Sequence, residues 1–230
     1  MSKPGTVILL TGTTGAGKST TCSAWAGYSE TPYLILGFDL LVGTLFPTQY
    51  TLFGSKATEG YHHYLVDPND PDGLQACGLG PMAWKATRAL HEMIAAAARF
   101  GQNIVADHHL FTDPPVLQDI VWRLEDVPTL LVSLRPPYET LIERVNGRKI
   151  ELPPQFIEAY GQGAAEAMAK SLTAASPWFF EADYANDIND MVIDSSALSP
   201  VEICAQIQAR LNEGPGTALA ELRRKYPKPF

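Results

Sequence analysis

The segment Gly12-Thr-Thr-Gly-Ala-Gly-Lys18-Ser19 matches the pattern GxxxxGK[ST], and no other feature of the sequence limits the fold as strongly. In this pattern glycines let backbone N–H groups approach phosphate oxygens, and the following helix turns its partly positive N-terminus toward them. The alternative, a glycine-rich turn before a helix, would point Lys18 at an empty helix N-terminus, which is electrostatically unfavourable. We therefore predict a phosphate-binding loop between a buried strand and a helix.

Every position of this loop has an expected contact with a nucleotide. Lys18 is expected to reach the β- and γ-phosphates, and the Ser19 hydroxyl is expected to ligate Mg²⁺. The sequence has no Asn-Lys-x-Asp guanine signature, so ATP is the expected nucleotide, with GTP left open. The predicted nucleotide-binding residues are Gly12, Thr13, Thr14, Gly15, Ala16, Gly17, Lys18, Ser19 and Thr20.

Short apolar runs alternate with longer stretches of helical spacing along the chain. Because parallel strands are buried on both faces and joined through helices, this alternation predicts an α/β fold, a parallel sheet covered by helices. The predicted strands are Thr6–Leu10, Tyr33–Leu36, Asn103–Ala106, Thr129–Leu134 and Met191–Ile193. The predicted helices are Lys18–Ala26, Trp84–Phe100, Pro115–Leu124, Tyr138–Val145 and Pro200–Leu211.

Two regions interrupt the alternation. In Phe46–Pro81, the run Asp67–Gly73 is a dense turn signal that predicts a hairpin, and a connection of this length is usually functional. Ile150–Asp190 contains a predicted helix over Gln155–Leu172, followed by the aromatic run Trp178-Phe179-Phe180. We interpret this second region as a lid helix and a connector.

Polar side chains follow the later predicted strands at the points where these strands end. They are Asp39, Asp107, Arg135 and Asp194, after the second to the fifth strand. Ligands of open parallel sheets bind beyond the carboxyl ends of the strands, so we expect these side chains at the edge that holds the phosphates. Carboxylates and a guanidinium beside bound phosphates are typical of phosphoryl transfer.

Each of these residues has two interpretations. Asp39 would accept the proton of an acceptor hydroxyl, or it would cap the following helix, and both can hold together. Asp107 would hold Mg²⁺ directly or through water, or it would be a hydrogen-bonded residue at a strand end. Arg135, Arg144 and Arg148 would neutralise charge on the transferring phosphoryl group, or they would be solvated at the surface.

The expected organisation is one domain over residues 1–212, followed by a C-terminal tail over 213–230. Within the domain, about 46–81 would be an acceptor-binding insertion and about 145–180 a lid. In the tail, the apolar Leu219 and Leu222 fit either a contact helix or a solvated segment.

The adjacent histidine pairs His62-His63 and His108-His109 suggest a metal site. Neighbours on a strand point to opposite faces, which disfavours shared ligation and favours contact with a substrate or partial burial. The aromatic residues of the insertion would either line an acceptor pocket or pack together to hold a long loop in place, and the sequence does not decide between these alternatives. They are Phe46, Tyr50, Phe53, Tyr61 and Tyr64.

Composition narrows the class of protein. The formal net charge of −8 disfavours a nucleic-acid partner. The three cysteines are far apart and form no CxxC pair, which argues against disulfides and zinc and favours a reducing cytoplasm. No apolar run approaches membrane-spanning length, so we expect a soluble protein without a membrane partner. A homo-oligomer is compatible with the sequence.

From about Thr6 to Leu211 the chain resembles the chloramphenicol phosphotransferase family of P-loop kinases. The loop motif is shared across the superfamily, whereas the combination of motifs is far more specific. The resemblance rests on Gly12–Thr20, Gly37-Phe38-Asp39-Leu40-Leu41 with Pro47, Gly101–Asp107, Leu131–Arg135 and Val192–Pro200.

The resemblance implies ATP-dependent phosphorylation of a small-molecule hydroxyl, with Asp39 as the base and with Arg144 and Arg148 near the lid arginines. It also implies a five-stranded sheet of the nucleoside-monophosphate-kinase type, in a three-layer α/β/α arrangement with the phosphate-loop strand at its centre. Chloramphenicol or a related natural product is the candidate acceptor, which would make this an antibiotic-resistance enzyme. A sugar, shikimate-like or nucleoside kinase is the alternative, and a nucleotide-dependent switch is a third.

The chain departs from the family pattern in three places. Asp107-His108 stands where the family often has two acids, the segment Leu152–Asp190 is longer than expected, and the tail after Gly214 is extra. These differences concern the specificity for the acceptor more than the reaction.

Overall fold

The computed structural model describes residues 3–152 and 154–229. Position 153, within the predicted lid, and positions 1, 2 and 230, at the ends of the predicted domain and tail, lie outside the described residues. The strands are β1 (Val7–Thr11), β2 (Tyr33–Ile35), β3 (Tyr61–Leu65), β4 (Gln75–Leu79), β5 (Asn103–His108), β6 (Thr129–Leu134) and β7 (Met191–Ile193). The helices are α1 (Lys18–Tyr28), α2 (Phe38–Leu40), α3 (Pro81–Arg99), α4 (Val116–Arg123), α5 (Tyr138–Gly147), α6 (Pro154–Tyr160), α7 (Ala164–Tyr184), α8 (Pro200–Asn212) and α9 (Ala218–Lys225).

Within this described part of the chain, the main sheet has five strands in the order β2-β5-β1-β6-β7. Every neighbouring pair in it is parallel. The predicted α/β fold is confirmed, and β1, which leads into the phosphate-binding loop, lies at the centre of the sheet. All residues of β1 are buried, because strands flank it on both sides and helices cover both of its faces.

Alternate residues of β1 face two different helical layers. Val7 and Leu9 belong to the core under α3, α4 and α9, whereas Ile8 and Leu10 pack with α1 and α8. This alternation follows from the two-residue repeat of a strand and produces three layers, helices on either side of the sheet.

The prediction that all five strands are buried on both faces is wrong for the two edge strands. In β2, Leu34 and Ile35 are 46% and 40% exposed, and in β7, Val192 is 54% exposed. An edge strand has a neighbour on one side only, and its apolar side chains are covered less completely than those at the centre.

The turn signal at Asp67–Gly73 closes an antiparallel hairpin of β3 and β4, as predicted. His63 pairs with Cys77 across this hairpin. The hairpin packs against α7, and it therefore forms a wall beside the sheet rather than part of it.

The predicted helix over Gln155–Leu172 is two helices, because Gly161 after α6 adopts a left-handed φ of 84°. The aromatic run Trp178-Phe179-Phe180 is wrongly predicted as a connector, since it lies inside α7. Phe179 is buried there against Phe111, with ring centroids 5.9 Å apart. Tertiary packing of these rings thus extends the helix beyond Pro177.

The residues after 212 are not a solvated tail. In α9, Ala218, Leu219 and Leu222 are buried in the same core as α3 and α4. The Trp122 indole also donates a hydrogen bond to the carbonyl of Tyr226 at 3.1 Å, which joins this end of the chain to α4. Among the described helices, none combines the length and hydropathy needed to cross a membrane.

Candidate active site

A cavity of about 620 Å³ lies at the carboxyl ends of the central strands. One side of it is the phosphate-binding loop, and the other is built by residues 38–43, the β3–β4 hairpin and the helices α6 and α7. This cavity thus opens at the sheet edge predicted to hold the ligand.

The loop has the backbone geometry that a phosphate cradle requires. Gly15 and Gly17 have φ values of 84° and 97°, in the left-handed region that side chains other than glycine rarely adopt. The Lys18 ammonium is buried and donates hydrogen bonds to the carbonyls of Gly12 at 2.6 Å and Thr13 at 3.2 Å. The ammonium is therefore held across the mouth of the loop. Among the described residues it is bonded only to neutral carbonyl oxygens, and the oxygens of a bound phosphate can replace these as its partners.

Ser195 supports the loop from behind, which the sequence did not indicate beyond placing it in a family motif. Its hydroxyl donates to the carbonyl of Ala16 at 2.7 Å. Arg144 donates to the carbonyls of Ser195 at 2.7 Å and Gly15 at 3.4 Å. The loop is thus linked to α5 and to the end of β7.

Ser19, Asp39 and Asp107 converge at one point of the cavity. The Ser19 hydroxyl lies 2.9 Å from Oδ2 of Asp39 and 3.4 Å from Oδ2 of Asp107. Gly37 makes this approach possible, since a Cβ there would lie 1.5 Å from the Asp107 carboxylate. The capping interpretation of Asp39 is wrong, because Gly37 occupies the N-cap of α2 and no side chain caps that helix.

The pKa values of the Asp39 and Asp107 carboxyl groups are shifted in opposite directions. Burial would raise the pKa of Asp39, but the charge of Lys18 and the hydrogen bond from Ser19 hold it below its ordinary value. Burial, and then the charge of Asp39, raise the pKa of Asp107 above its ordinary value. Asp39 therefore stays ionised in mild acid, whereas Asp107 is the first of the pair to take up a proton.

The chemistry of these donors fits magnesium. A hydroxyl and two carboxylates are hard oxygen ligands, and Mg²⁺ in nucleotide sites takes one or two protein carboxylates together with phosphate oxygens. By contrast, no group of three or more His, Cys, Asp or Glu residues in the described chain could hold a metal ion. The paired histidines belong to no such group among the described residues.

The predicted arginines separate into two groups. Arg144 and Arg148 line the cavity, although α5 ends at Gly147 and Arg148 is in an extended conformation. Arg135 does not line it, because its guanidinium binds the carbonyl of Asn186 at 2.6 Å and the carboxylate of Asp187 at 3.2 Å. The expected convergence of Arg135 with the carboxylates is wrong.

Asp194 also lies away from the cavity. It is exposed, and its carboxylate accepts the backbone N–H of Ser196 at 2.8 Å. Its strand, β7, is the edge of the sheet, so a position at a strand end was insufficient to bring it into the site.

Histidines and aromatic residues form the opposite wall. His62, His63 and His109 line the cavity, whereas contact with a substrate stays a prediction. Of the five aromatic residues left open, Tyr61 lines it, with Phe38 5.1 Å from its ring centroid. The cavity lining does not include the others, which are Phe46, Tyr50, Phe53 and Tyr64.

Sequence comparison decides the family. The model of the chloramphenicol phosphotransferase-like protein family matches residues 5–212. The chain belongs to this family. No curated protein matches the sequence significantly.

Solved structures similar to this chloramphenicol phosphotransferase-like protein include P-loop kinases. The APS kinase of Mycobacterium tuberculosis, in complex with AMPPNP and APS, matches with a TM-score of 0.56 and 15% identity, covering 92% of this chain and 99% of that one. A gluconokinase of Sinorhizobium meliloti 1021 has a TM-score of 0.52 and 18% identity, covering 93% and 94%. The tunicamycin resistance protein of Deinococcus radiodurans has a TM-score of 0.51 and 12% identity, covering 92% and 98%. At these identities the likeness establishes the fold, which is that of P-loop kinases.

The structure explains how this family member accommodates His108 beside Asp107. His108 is fully buried and turns away from the cavity, with its Nε2 2.9 Å from Nε2 of His91. His91 in turn lies 2.7 Å from the buried carboxylate of Asp119. His108 therefore belongs to a buried network, and the adjacent His109 faces the cavity instead.

Proposed function

We propose that this protein is an ATP- and Mg²⁺-dependent kinase that phosphorylates a hydroxyl of a small, uncharged molecule with an apolar body. The observation that carries the proposal is the convergence of Ser19, Asp39 and Asp107 between the phosphate-binding loop and an apolar cavity wall. A site that only held or hydrolysed a nucleotide would have no use for the second half of this cavity.

The residues of the loop side would bind the nucleotide. Bound MgATP would supply the phosphoryl group and partly neutralise its charge. The Lys18 ammonium would exchange carbonyl oxygens for phosphate oxygens, and Arg144 and Arg148 would neutralise charge from the lid side. Ser19 and Asp107 would ligate the magnesium ion.

Asp39 would act on the acceptor. Its lowered pKa keeps the carboxylate ionised, so it can accept a hydrogen bond from the acceptor hydroxyl and orient it. In a loose phosphoryl-transfer transition state the hydroxyl loses its proton late. A weakly basic carboxylate, one with a low pKa, is therefore sufficient to accept that proton.

The rest of the cavity limits the kind of acceptor. The charged side chains that line it, apart from histidines, are Lys18, Asp39, Arg144, Arg148 and Glu151. All except Asp39 come from the loop or the 144–151 segment, so the hairpin and α7 present no lysine or arginine to a phosphate or carboxylate on the acceptor. Apolar lining residues such as Phe38, Leu172 and Phe179 support a natural product such as chloramphenicol over a sugar or nucleotide.

The test is a product-mass screen with ATP, Mg²⁺ and candidate alcohols, with chloramphenicol first and a sugar and a nucleoside as alternatives. In Asp39→Asn we expect phosphoryl transfer to fall about a hundred-fold or more, with ATP binding retained, because the amide cannot take the hydroxyl proton. Asp194→Asn is the matched control at another strand end and should behave like the wild type.

The results of this screen distinguish the kinase activity from the identity of the acceptor. Phosphorylation of a sugar but not of chloramphenicol would remove the antibiotic-resistance assignment and keep the kinase. If no alcohol stimulates ADP release and Asp39→Asn changes nothing, the kinase proposal is wrong and a nucleotide-dependent switch takes its place. If chloramphenicol is the acceptor, expression in a sensitive bacterium should allow growth in its presence, as a cytoplasmic resistance enzyme would.

A further inference from the structure

His109 is fixed in the cavity wall by a buried carboxylate. Its Nδ1 lies 2.7 Å from Oδ2 of Asp183, whose side chain is 0% exposed. The other oxygen of Asp183 accepts the backbone N–H of Leu110 at 3.2 Å. Both carboxylate oxygens therefore serve the His109–Leu110 segment, and the imidazole has little freedom to rotate.

The backbone of His109 is held as well. Nδ1 of His108 lies 2.8 Å from the carbonyl oxygen of His109, which can only accept, so His108 is the donor. The buried network of His91 and Asp119 holds His108 in turn. Fixing a ring through both its side chain and its carbonyl is the kind of support that a binding group needs.

This geometry also determines where the proton of the neutral ring lies. A carboxylate oxygen can only accept, so in the neutral ring Nδ1 of His109 carries the hydrogen and Nε2 presents a lone pair. No described residue hydrogen-bonds to Nε2. Aromatic rings surround the imidazole, with centroids 5.7 Å away for Phe38, 5.6 Å for Phe111 and 5.1 Å for Phe179. A hydrogen-bond acceptor in such a wall requires a donor from the ligand.

We propose that Nε2 of His109 accepts a hydrogen bond from a second donor group of the acceptor molecule, beside the hydroxyl that Asp39 receives. The inference rests on the proposed kinase function and deepens it. The substrate class is then a molecule with two hydrogen-bond donors, a hydroxyl to be phosphorylated and another O–H or N–H, on an apolar body. His109 determines specificity, and Asp183 is a positioning residue that acts through it.

Three variants test this with whichever alcohol the wild type phosphorylates, chloramphenicol being the first probe. In His109→Phe the ring volume is kept and the lone pair is lost, so the KM for the alcohol should rise about tenfold while the KM for ATP stays unchanged. His109→Gln, whose amide oxygen can replace Nε2 as an acceptor, should recover most of the affinity.

Asp183→Asn is the sharper variant. The Asn oxygen would keep the Leu110 N–H, so its NH₂ group would donate to Nδ1 and move the imidazole hydrogen to Nε2. This variant should raise the KM for the alcohol as much as His109→Phe does. Asp126→Asn, an exposed carboxylate paired with Arg99, is the matched control and should leave both KM values unchanged.

The imidazole ¹⁵N spectrum gives a readout that a purely structural role would not move. For the neutral ring of His109 without ligand, the Nδ1–H tautomer is expected in the wild type and the Nε2–H tautomer in Asp183→Asn. An Nε2–H form in the wild type would overturn the inference, and so would an unchanged KM for the alcohol in His109→Phe. Either result would leave the kinase proposal standing. If the wild type phosphorylates no alcohol, the kinase proposal fails first and this inference falls with it.

Discussion

The two halves of the cavity are built in different ways. The nucleotide half is built around one continuous segment, Gly12–Ser19, whose polar contacts are largely backbone carbonyls and N–H groups. The acceptor half is assembled from side chains of residues 38–63, Cys77, His109 and the segment 150–179, which are far apart in the sequence. The first half depends on a local backbone conformation, whereas the second depends on the packing of remote segments.

This difference has a consequence for how each half responds to change. A backbone cradle makes the same contacts with any nucleoside triphosphate, so it can be shared by kinases with different acceptors. A wall of side chains changes shape with each substitution, so specificity for the acceptor can vary without loss of the reaction. Substitutions in the two halves should therefore separate the ATP and acceptor parameters.

The largest expected effect is that of Lys18→Ala in the nucleotide half. Loss of the ammonium that contacts the transferring phosphate should lower kcat/KM about a thousand-fold, with binding of the alcohol retained. Steady-state kinetics and calorimetry with the alcohol measure the two quantities. Lys85→Ala, an exposed lysine on α3, is the control. Equal loss of alcohol binding in Lys18→Ala would show that the two halves are not independent.

A smaller effect is expected for Leu172→Ala in the acceptor half. Leu172 is half-buried on the cavity wall, and removing part of its side chain should raise the KM for the alcohol about five- to tenfold. The KM for ATP should not change. Leu211→Ala, also half-buried but packed against the core shared by the sheet, α1 and α8, away from the cavity lining, controls for general loss of stability. The separation of the halves fails if Leu211→Ala gives the same loss.

The smallest effect concerns the boundary between the halves, where Asp39 and Asp107 meet. A carboxyl group with a raised pKa becomes protonated at a higher pH than usual, so acidification should neutralise Asp107 before Asp39. The Mg²⁺ concentration for half-maximal rate should then rise a few-fold as the pH is lowered, and excess Mg²⁺ should restore the rate.

Variants assign this pH dependence. In Asp107→Asn the half-saturating Mg²⁺ concentration should be high at every pH, whereas Asp194→Asn, with its exposed carboxylate outside the cavity, should keep the wild-type dependence. A loss of rate in acid that excess Mg²⁺ does not restore would place the titrating group elsewhere.

Local sequence patterns predict most of the strands and the hairpin turn. The predicted parallel strands coincide with β1, β2, β5, β6 and β7 to within two residues at each end, because short apolar runs between helical stretches are typical of buried parallel strands. The hairpin turn was equally readable from its Asp, Pro and Gly residues. The errors lie where packing overrides local preference, as in the helical aromatic run of α7 and the buried α9.

The candidate site was only partly predictable. Strand ends correctly brought Asp39 and Asp107 together, because the carboxyl ends of neighbouring strands meet at one edge. The same rule failed for Arg135, since the rule places a Cα and not a guanidinium, and this side chain turns toward Asn186. The sequence marks His109 only as one of a pair of histidines, and no local pattern distinguishes it as the member that faces the cavity.

The sequence alone determined that a phosphate-binding loop follows the central strand, since that loop is a backbone conformation specified by glycines over a few adjacent positions. The tertiary structure alone decided which side chains face it. Asp183 and His109 are 74 residues apart, and Ser195 reaches Ala16 across 179 residues. Such contacts depend on how whole helices pack, and local periodicity carries no information about them.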